Sequence, residues 1–194
     1  MNLRGPPALT SMGKQIPLVN YGVQTMSLGF LTKDEDAVVA WRGLMVTKNL
    51  QHLLFHTEWP ELDVLVLDLP PGTGDIHLTL TQSIKLDGAV IVSTPQQLAR
   101  KNALKGLELF KKMDVPVFGV VENMSGFKCP CCGEMTQIFK RSEQEGVDIL
   151  AKIPIDPEIS ETSDTGTPLA IKSGSVYSGI YRDLATHVST KLGI

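Results

Sequence analysis

The sequence predicts an α/β fold in which a mostly parallel sheet is covered by helices. The run Asp63-Val64-Leu65-Val66-Leu67-Asp68 carries most of that prediction, because four consecutive apolar residues bounded by aspartates read as a strand buried on both faces in the middle of a parallel sheet. Gly88-Ala89-Val90-Ile91-Val92 and Pro116-Val117-Phe118-Gly119-Val120-Val121 read as two further buried strands. Between them lies the clearest helical pattern of the chain, residues 96–113, with Leu98, Leu104, Leu107, Phe110 and Met113 expected inward and lysines outward.

The other elements follow from local chemistry. Residues 1–15 hold prolines and glycines without periodicity and read as an extended surface connection. Residues 17–27 suggest short strands around Asn20-Tyr21-Gly22, and residues 32–36 a charged loop. Over residues 42–55, Leu44, Met45, Leu50, Leu53 and Leu54 recur at helical spacing, with Gly43 near the start. A short helix is expected over 76–84, a short strand before Ile153-Pro154-Ile155-Asp156-Pro157, and a helical turn over 158–163. The chain closes with a helix over 176–192, in which Ile180, Leu184 and Val188 recur every four residues and Gly193 is the stop.

Composition bounds the function. The 194 residues are 42% hydrophobic and 20% charged, which suits one globular domain over 1–194 with its own core. A net charge of −3, with no basic tract, argues against nucleic acid as a partner. The three cysteines all fall between positions 129 and 132 and cannot staple a chain of this size, so a reducing compartment fits. No apolar run reaches the length of a membrane span, and residues 1–13 show no targeting pattern.

Candidate chemistry gathers at the carboxyl ends of the expected strands, where open α/β sheets bind ligands. Asp68 is a candidate magnesium partner, since that ion keeps most of its waters and takes one or two carboxylates plus phosphate oxygens. Gly72 and Gly74, after the strand-ending Pro70-Pro71, let backbone approach a terminal phosphate and move after its loss. Asn123, in Glu122-Asn123-Met124, offers an amide donor and acceptor as an adenine edge requires; a turn asparagine is the alternative. His52 and His56 are four apart on a helix and could share a metal. The glutamate of a zinc-protease motif is missing and Leu53-Leu54-Phe55 between them is core-like, so they stand outside the expected site.

The cysteine cluster Cys129-Pro130-Cys131-Cys132-Gly133 is the sharpest signal. Two thiolates three positions apart can hold one metal or one cluster, but a 4Fe-4S cluster takes four. Cys129 and Cys132 from each of two chains supply four, which predicts a cluster bridging a symmetric dimer, with Cys131 a bystander or alternative ligand. A zinc knuckle shared by two chains satisfies the same count, and a redox pair is a third reading.

The strings Asp68-Leu69-Pro70-Pro71-Gly72-Thr73-Gly74-Asp75, Trp41-Arg42-Gly43, Ser93-Thr94-Pro95-Gln96, Glu122-Asn123-Met124-Ser125, Cys129-Pro130-Cys131-Cys132 and Asp164-Thr165-Gly166-Thr167-Pro168 together resemble the Mrp family of P-loop ATPases. These proteins assemble and carry iron-sulfur clusters, and the resemblance covers nearly the whole chain. It is strongest to the mitochondrial branch that assembles respiratory complex I.

The resemblance implies a three-layer P-loop NTPase sheet with a cluster-binding insertion near residues 126–136. It also implies ATP and Mg2+, with Asp68 at the metal, Gly72, Thr73, Gly74 and Asp75 as a switch-like turn, and Asn123, Pro154 and Asp156 beside the adenine. Its partners would be a second family chain, as homodimer or heterodimer, and recipient iron-sulfur apoproteins such as complex I subunits. The mitochondrial matrix is the implied location, with the cytoplasm as alternative.

Three departures qualify it. No glycine-rich GK[ST] loop occurs, so the domain is expected to be incomplete at its N-terminal side and weak in ATP hydrolysis; Asn102 stands where relatives carry aspartate, and the region 139–152 is short. The rival expectation is a non-enzymatic cluster- or zinc-binding or interaction module from a truncated gene product.

Overall fold

The structure, a computed structural model, describes residues 1–31, 43–70, 72, 74–129, 131–139 and 148–194, and for 43–46 and 75 the backbone alone. The charged loop expected at 32–36, the Trp41-Arg42 pair and much of the shortened 139–152 region lie outside the described residues, as do Pro71, Thr73 and Pro130. The chain forms two compact units, Met1–Lys85 and Leu86–Ile194.

In the first unit, β1 (Leu18–Asn20) and β2 (Val23–Thr25) pair antiparallel around Tyr21-Gly22. Both turn residues have positive φ, 52° and 75°, the geometry a two-residue hairpin needs to match strand twist. Asn20 ties the turn down, accepting from the Tyr21 N–H at 2.9 Å and donating to the Met1 carbonyl at 2.6 Å. The helices α1 (Gly43–Phe55) and α2 (Asp75–Ser83) occur where apolar spacing places them. Leu80 of α2 is fully buried, and the Thr47 and Thr79 hydroxyls meet at 3.4 Å between the helices. The end of α1 is pinned by main-chain bonds, with the Gln15 N–H donating to the His56 carbonyl and the Glu58 N–H donating to the Gln15 carbonyl.

One expectation is corrected here. Residues 63–69 do not form the buried central strand: no strand is assigned over them, Asp68 and Val64 are exposed, and Val66 is 83% exposed. A strand exists through its ladder, and among the described residues the only ladder between strands in this unit is the β1–β2 hairpin, so the apolar run lacks a paired neighbour to bury it.

The second unit contains the sheet. Its central strand, β4 (Val117–Lys128), is parallel to β3 (Ala89–Ser93) on one side and to β6 (Ile149–Ile155) on the other, and antiparallel to the short β5 (Met135–Thr136) near its end. A mostly parallel sheet combined with helices is thus the observed class. Between β3 and β4 runs α3 (Gln97–Lys112), and its Leu107 packs with Ile91 and Val120 to form the core.

The inward set predicted for α3 is partly wrong. Leu107 and Phe110 are buried, but Leu98 is 73% and Leu104 39% exposed, while Arg100 is 7% exposed. The buried face includes Arg100 beside Leu107 and Phe110. After β6, α4 (Pro157–Asp164) and α5 (Tyr177–Leu192) complete the unit. Gly193 ends α5 in the left-handed conformation, φ 77°, as predicted. No helix among the described residues is long and apolar enough to cross a membrane.

Candidate functional site

The cysteines occupy the tip of the β4–β5 hairpin. Phe127 pairs with Thr136 and Lys128 with Met135, after which the chain must reverse within six residues. It does so through two bonds: the Cys129 N–H donates to the Glu134 carbonyl at 2.9 Å, and the Gly133 N–H donates to the Cys129 carbonyl at 2.8 Å. Gly133 is left-handed, φ 74°, which explains why glycine follows the last cysteine. Cys129 is half-buried, whereas Cys131 and Cys132 face solvent.

This knuckle turns backbone donors onto sulfur. The N–H groups of Cys132 and Cys131 donate to Cys129, and the Cys132 thiol adds a further bond, so the Cys129 thiol titrates below its ordinary value. A sulfur surrounded by donors is prepared to be a thiolate, the form that binds metals. Among the described residues, no three His, Cys, Asp or Glu side chains of the single chain converge as a metal site.

On the second unit's sheet, Asn123 pairs in register with Ile153, so the structure brings Asn123 and the neighbouring Pro154 together on adjacent strands. Asn123 does not end its strand as expected, because β4 continues to Lys128. It sits instead at the start of an irregularity in the β4–β6 register. Its side-chain oxygen accepts from the Met124 N–H at 2.9 Å, where Met124 is left-handed with φ 56°. The amide oxygen thus shapes a local turn, a role Asn fills well.

Asp156 caps α4. One carboxylate oxygen accepts from the Glu158 N–H at 2.8 Å, and Pro157 occupies the first turn, where its missing N–H costs nothing. The other oxygen accepts from the Tyr177 hydroxyl at 2.6 Å, fastening the start of α5 to the turn after β6. Lys172 adds an ion pair to Glu158 at 3.0 Å. Sequence reasoning missed Tyr177 because no periodicity links residues 21 apart; the Asp-Pro-Glu string does announce the cap.

The Tyr177 bond has a measurable sign. Its hydrogen bond to Asp156, with burial second, pushes the phenol up to about 12. A group whose folded value is raised contributes stability in full below its unfolded value of about 10, and that contribution is lost as pH rises through about 12. Tyr177→Phe is therefore expected to lower stability by about 1 kcal/mol near neutral pH. In urea titrations repeated at rising alkalinity, the variant should lose less stability than the parent between about pH 10 and 12. Parallel losses would show that the bond contributes nothing.

In the first unit, Asp68 is exposed, Gly72 has φ 110°, and Gly74 is the extended N-cap of α2 with no side-chain cap. An uncapped helix start leaves N–H groups available to an anion. Asp75 is the first residue of α2. Thr73 lies outside the described residues. A cleft of 370 Å³ lined by residues including Lys111, Phe118 and Asp148 sits beside the beginning of β4 and contains none of the predicted site residues.

Comparison with known proteins finds a family and close relatives for the chain. The family described as "ParA: NUBPL iron-transfer P-loop NTPase" matches residues 1–189. The chain is 45% identical over 199 residues to the mouse (Mus musculus) iron-sulfur cluster transfer protein NUBPL, covering 99% of this chain and 62% of that protein. It is 43% identical over 195 residues to a protein of Arabidopsis thaliana named as a mitochondrial iron-sulfur protein required for NADH dehydrogenase, covering 97% of this chain and 62% of the other. The chain thus spans less than two thirds of the length of these curated relatives. A solved nucleotide-binding protein from Archaeoglobus fulgidus, in complex with ADP and with cobalt found, superposes with a TM-score of 0.68 at 34% identity, covering 84% of this chain and 65% of that one.

Proposed function

Because the chain belongs to the NUBPL iron-transfer P-loop NTPase family, we propose that it carries an iron-sulfur cluster on Cys129 and Cys132 and hands it to recipient apoproteins. The family membership bears out the resemblance drawn from the DLPPGTGD, ENMS and CPCC strings, and the solved relative bears out the nucleotide-hydrolase fold class. The family match also runs across both compact units, which supports reading residues 1–194 as parts of one NTPase-type domain.

The observation that carries the proposal is the knuckle. Its backbone donors face Cys129, it places Cys132 in solvent, and it stands at a hairpin tip where a second chain can approach. Two thiolates leave a 4Fe-4S cargo half-ligated, so the complete site takes Cys129 and Cys132 from each of two chains, either two copies or this chain with another family member. Exposure suits a carrier, because a cluster must be reached by its acceptor.

Nucleotide chemistry belongs to the same reading. The exposed Asp68 carboxylate fits a hydrated Mg2+, and the uncapped start of α2 after Gly72, Thr73 and Gly74 fits a phosphate oxygen. Asp75 opens that helix. Asn123 and Pro154 fit the base side, with Asp156 acting on it through the turn it caps. Bound ATP and Mg2+ would supply phosphoryl transfer; these residues bind, orient and sense. The Arabidopsis relative's name supports delivery to complex I and a mitochondrial location, which we take to be the matrix.

Anaerobic reconstitution with iron and sulfide tests the proposal. It should yield a broad charge-transfer absorption and about four iron per two chains, with the cluster running as a dimer in sedimentation. A stable cluster on a strict monomer would refute the bridging site. Retention of zinc with no cluster would replace the carrier by a zinc-binding module.

A further inference from the structure

We propose that His52 and His56 form a second metal site, independent of the cysteines, for a borderline divalent transition ion such as Cu2+, Ni2+ or Zn2+. The spacing of four puts both side chains on one face of α1, and the two rings lie 4.7 Å apart between centroids at an interplanar angle of 18°. His52 is half-buried and His56 exposed. Among the described residues neither imidazole makes a hydrogen bond, so no described group competes with a metal for the ring nitrogens.

The surroundings favour a cation. His52 lies in the last turn of α1 and His56 immediately after it, at the end where the helix dipole places its negative pole. The backbone there is already fixed. The His56 N–H donates to the His52 carbonyl at 2.9 Å, the Gln15 N–H donates to the His56 carbonyl at 2.8 Å, and the Trp59 indole donates to the Leu54 carbonyl at 3.2 Å. Only the side-chain torsions need to move to bring one nitrogen from each ring to about 2 Å from a shared ion.

Imidazole selects against Mg2+ and Ca2+, which take oxygen ligands, and follows the order that places Cu2+ above Ni2+ and Zn2+. Two protein ligands leave water in the remaining positions. No glutamate stands between the histidines to act as a base, so the site binds and does not hydrolyse. A metal here would tie the last turn of α1 to the residue that follows it.

Cu2+ alone is the probe, added to the 194-residue chain carrying Cys129→Ser, Cys131→Ser and Cys132→Ser so that thiolates cannot compete. Electron paramagnetic resonance should show one copper per chain coupled to two imidazole nitrogens. Since even outer-shell losses at metal sites cost about tenfold in affinity, His52→Ala or His56→Ala should each weaken binding by at least about that factor. Melting of the metal-free variants, matched to the parent, separates ligand loss from unfolding. Copper bound equally well by the His52→Ala/His56→Ala double variant would overturn the site. So would a signal from a single nitrogen. Because the cysteines are absent throughout, neither outcome bears on cluster transfer.

Discussion

Serine at Cys129 or at Cys132 is expected to leave the reconstituted protein colourless, whereas Cys131→Ser should load a cluster much as the parent does. The asymmetry comes from the knuckle. Cys129 sits at its base with the Cys132 and Cys131 N–H groups directed at its sulfur, and Cys132 stands three positions on at the exposed side. An alkoxide is a poor substitute for a thiolate toward iron in these clusters, so one serine per chain removes two of the four ligands of a bridged cluster. Cys131→Ser keeps the backbone N–H that faces Cys129 and so keeps the geometry. Iron and sulfide analysis beside absorption on the three variants decides the matter. Equal loading by Cys129→Ser would move the site elsewhere, and failure of Cys131→Ser alone would make Cys131 a ligand.

Gly119→Ala should be the most destabilising conservative change in the sheet. Gly119 has φ 151°, and a Cβ placed there meets the Asp148 carbonyl oxygen at 2.6 Å and the Leu150 side chain at 2.7 Å. That carbonyl is not free to retreat, because it accepts the Val120 N–H at 2.8 Å where the β4–β6 register shifts. Overpacking against backbone together with an unsuitable φ predicts a loss of about 3 kcal/mol, or about 10 °C in melting midpoint for a chain of this length. Gly106→Ala supplies the opposite sign. A Cβ at Gly106, inside α3, meets nothing within 4 Å, so alanine should stabilise by about 0.5–1 kcal/mol through helix propensity. Thermal melts of the two variants beside the parent are sufficient; similar small shifts in both would mean that β6 yields where Gly119 approaches it.

The sequence by itself determined the elements that short-range chemistry can specify. The Tyr21-Gly22 hairpin, the spacing of α5 and its Gly193 stop, and the Asp-Pro-Glu start of α4 each follow from the φ a residue can adopt or the donor it can satisfy, and each occurs in the structure. The Cys129-to-Gly133 spacing belongs with them, because a thiolate pair and a left-handed glycine define a knuckle without help from afar. Tertiary structure decided what depends on a partner distant in sequence. An apolar run such as 63–69 becomes a buried strand only where another strand completes its ladder, and the described residues of the first unit supply none. The apolar stripe of α3 was legible, but whether Leu98 or Arg100 faces the core depends on how the helix rotates against the sheet. Asn123 could be read as a strand end only until β5 and β6 extended β4 beyond it. The same holds for the Tyr177–Asp156 bond: residue type and spacing state what each group can bind, and only packing states which of those partners it meets.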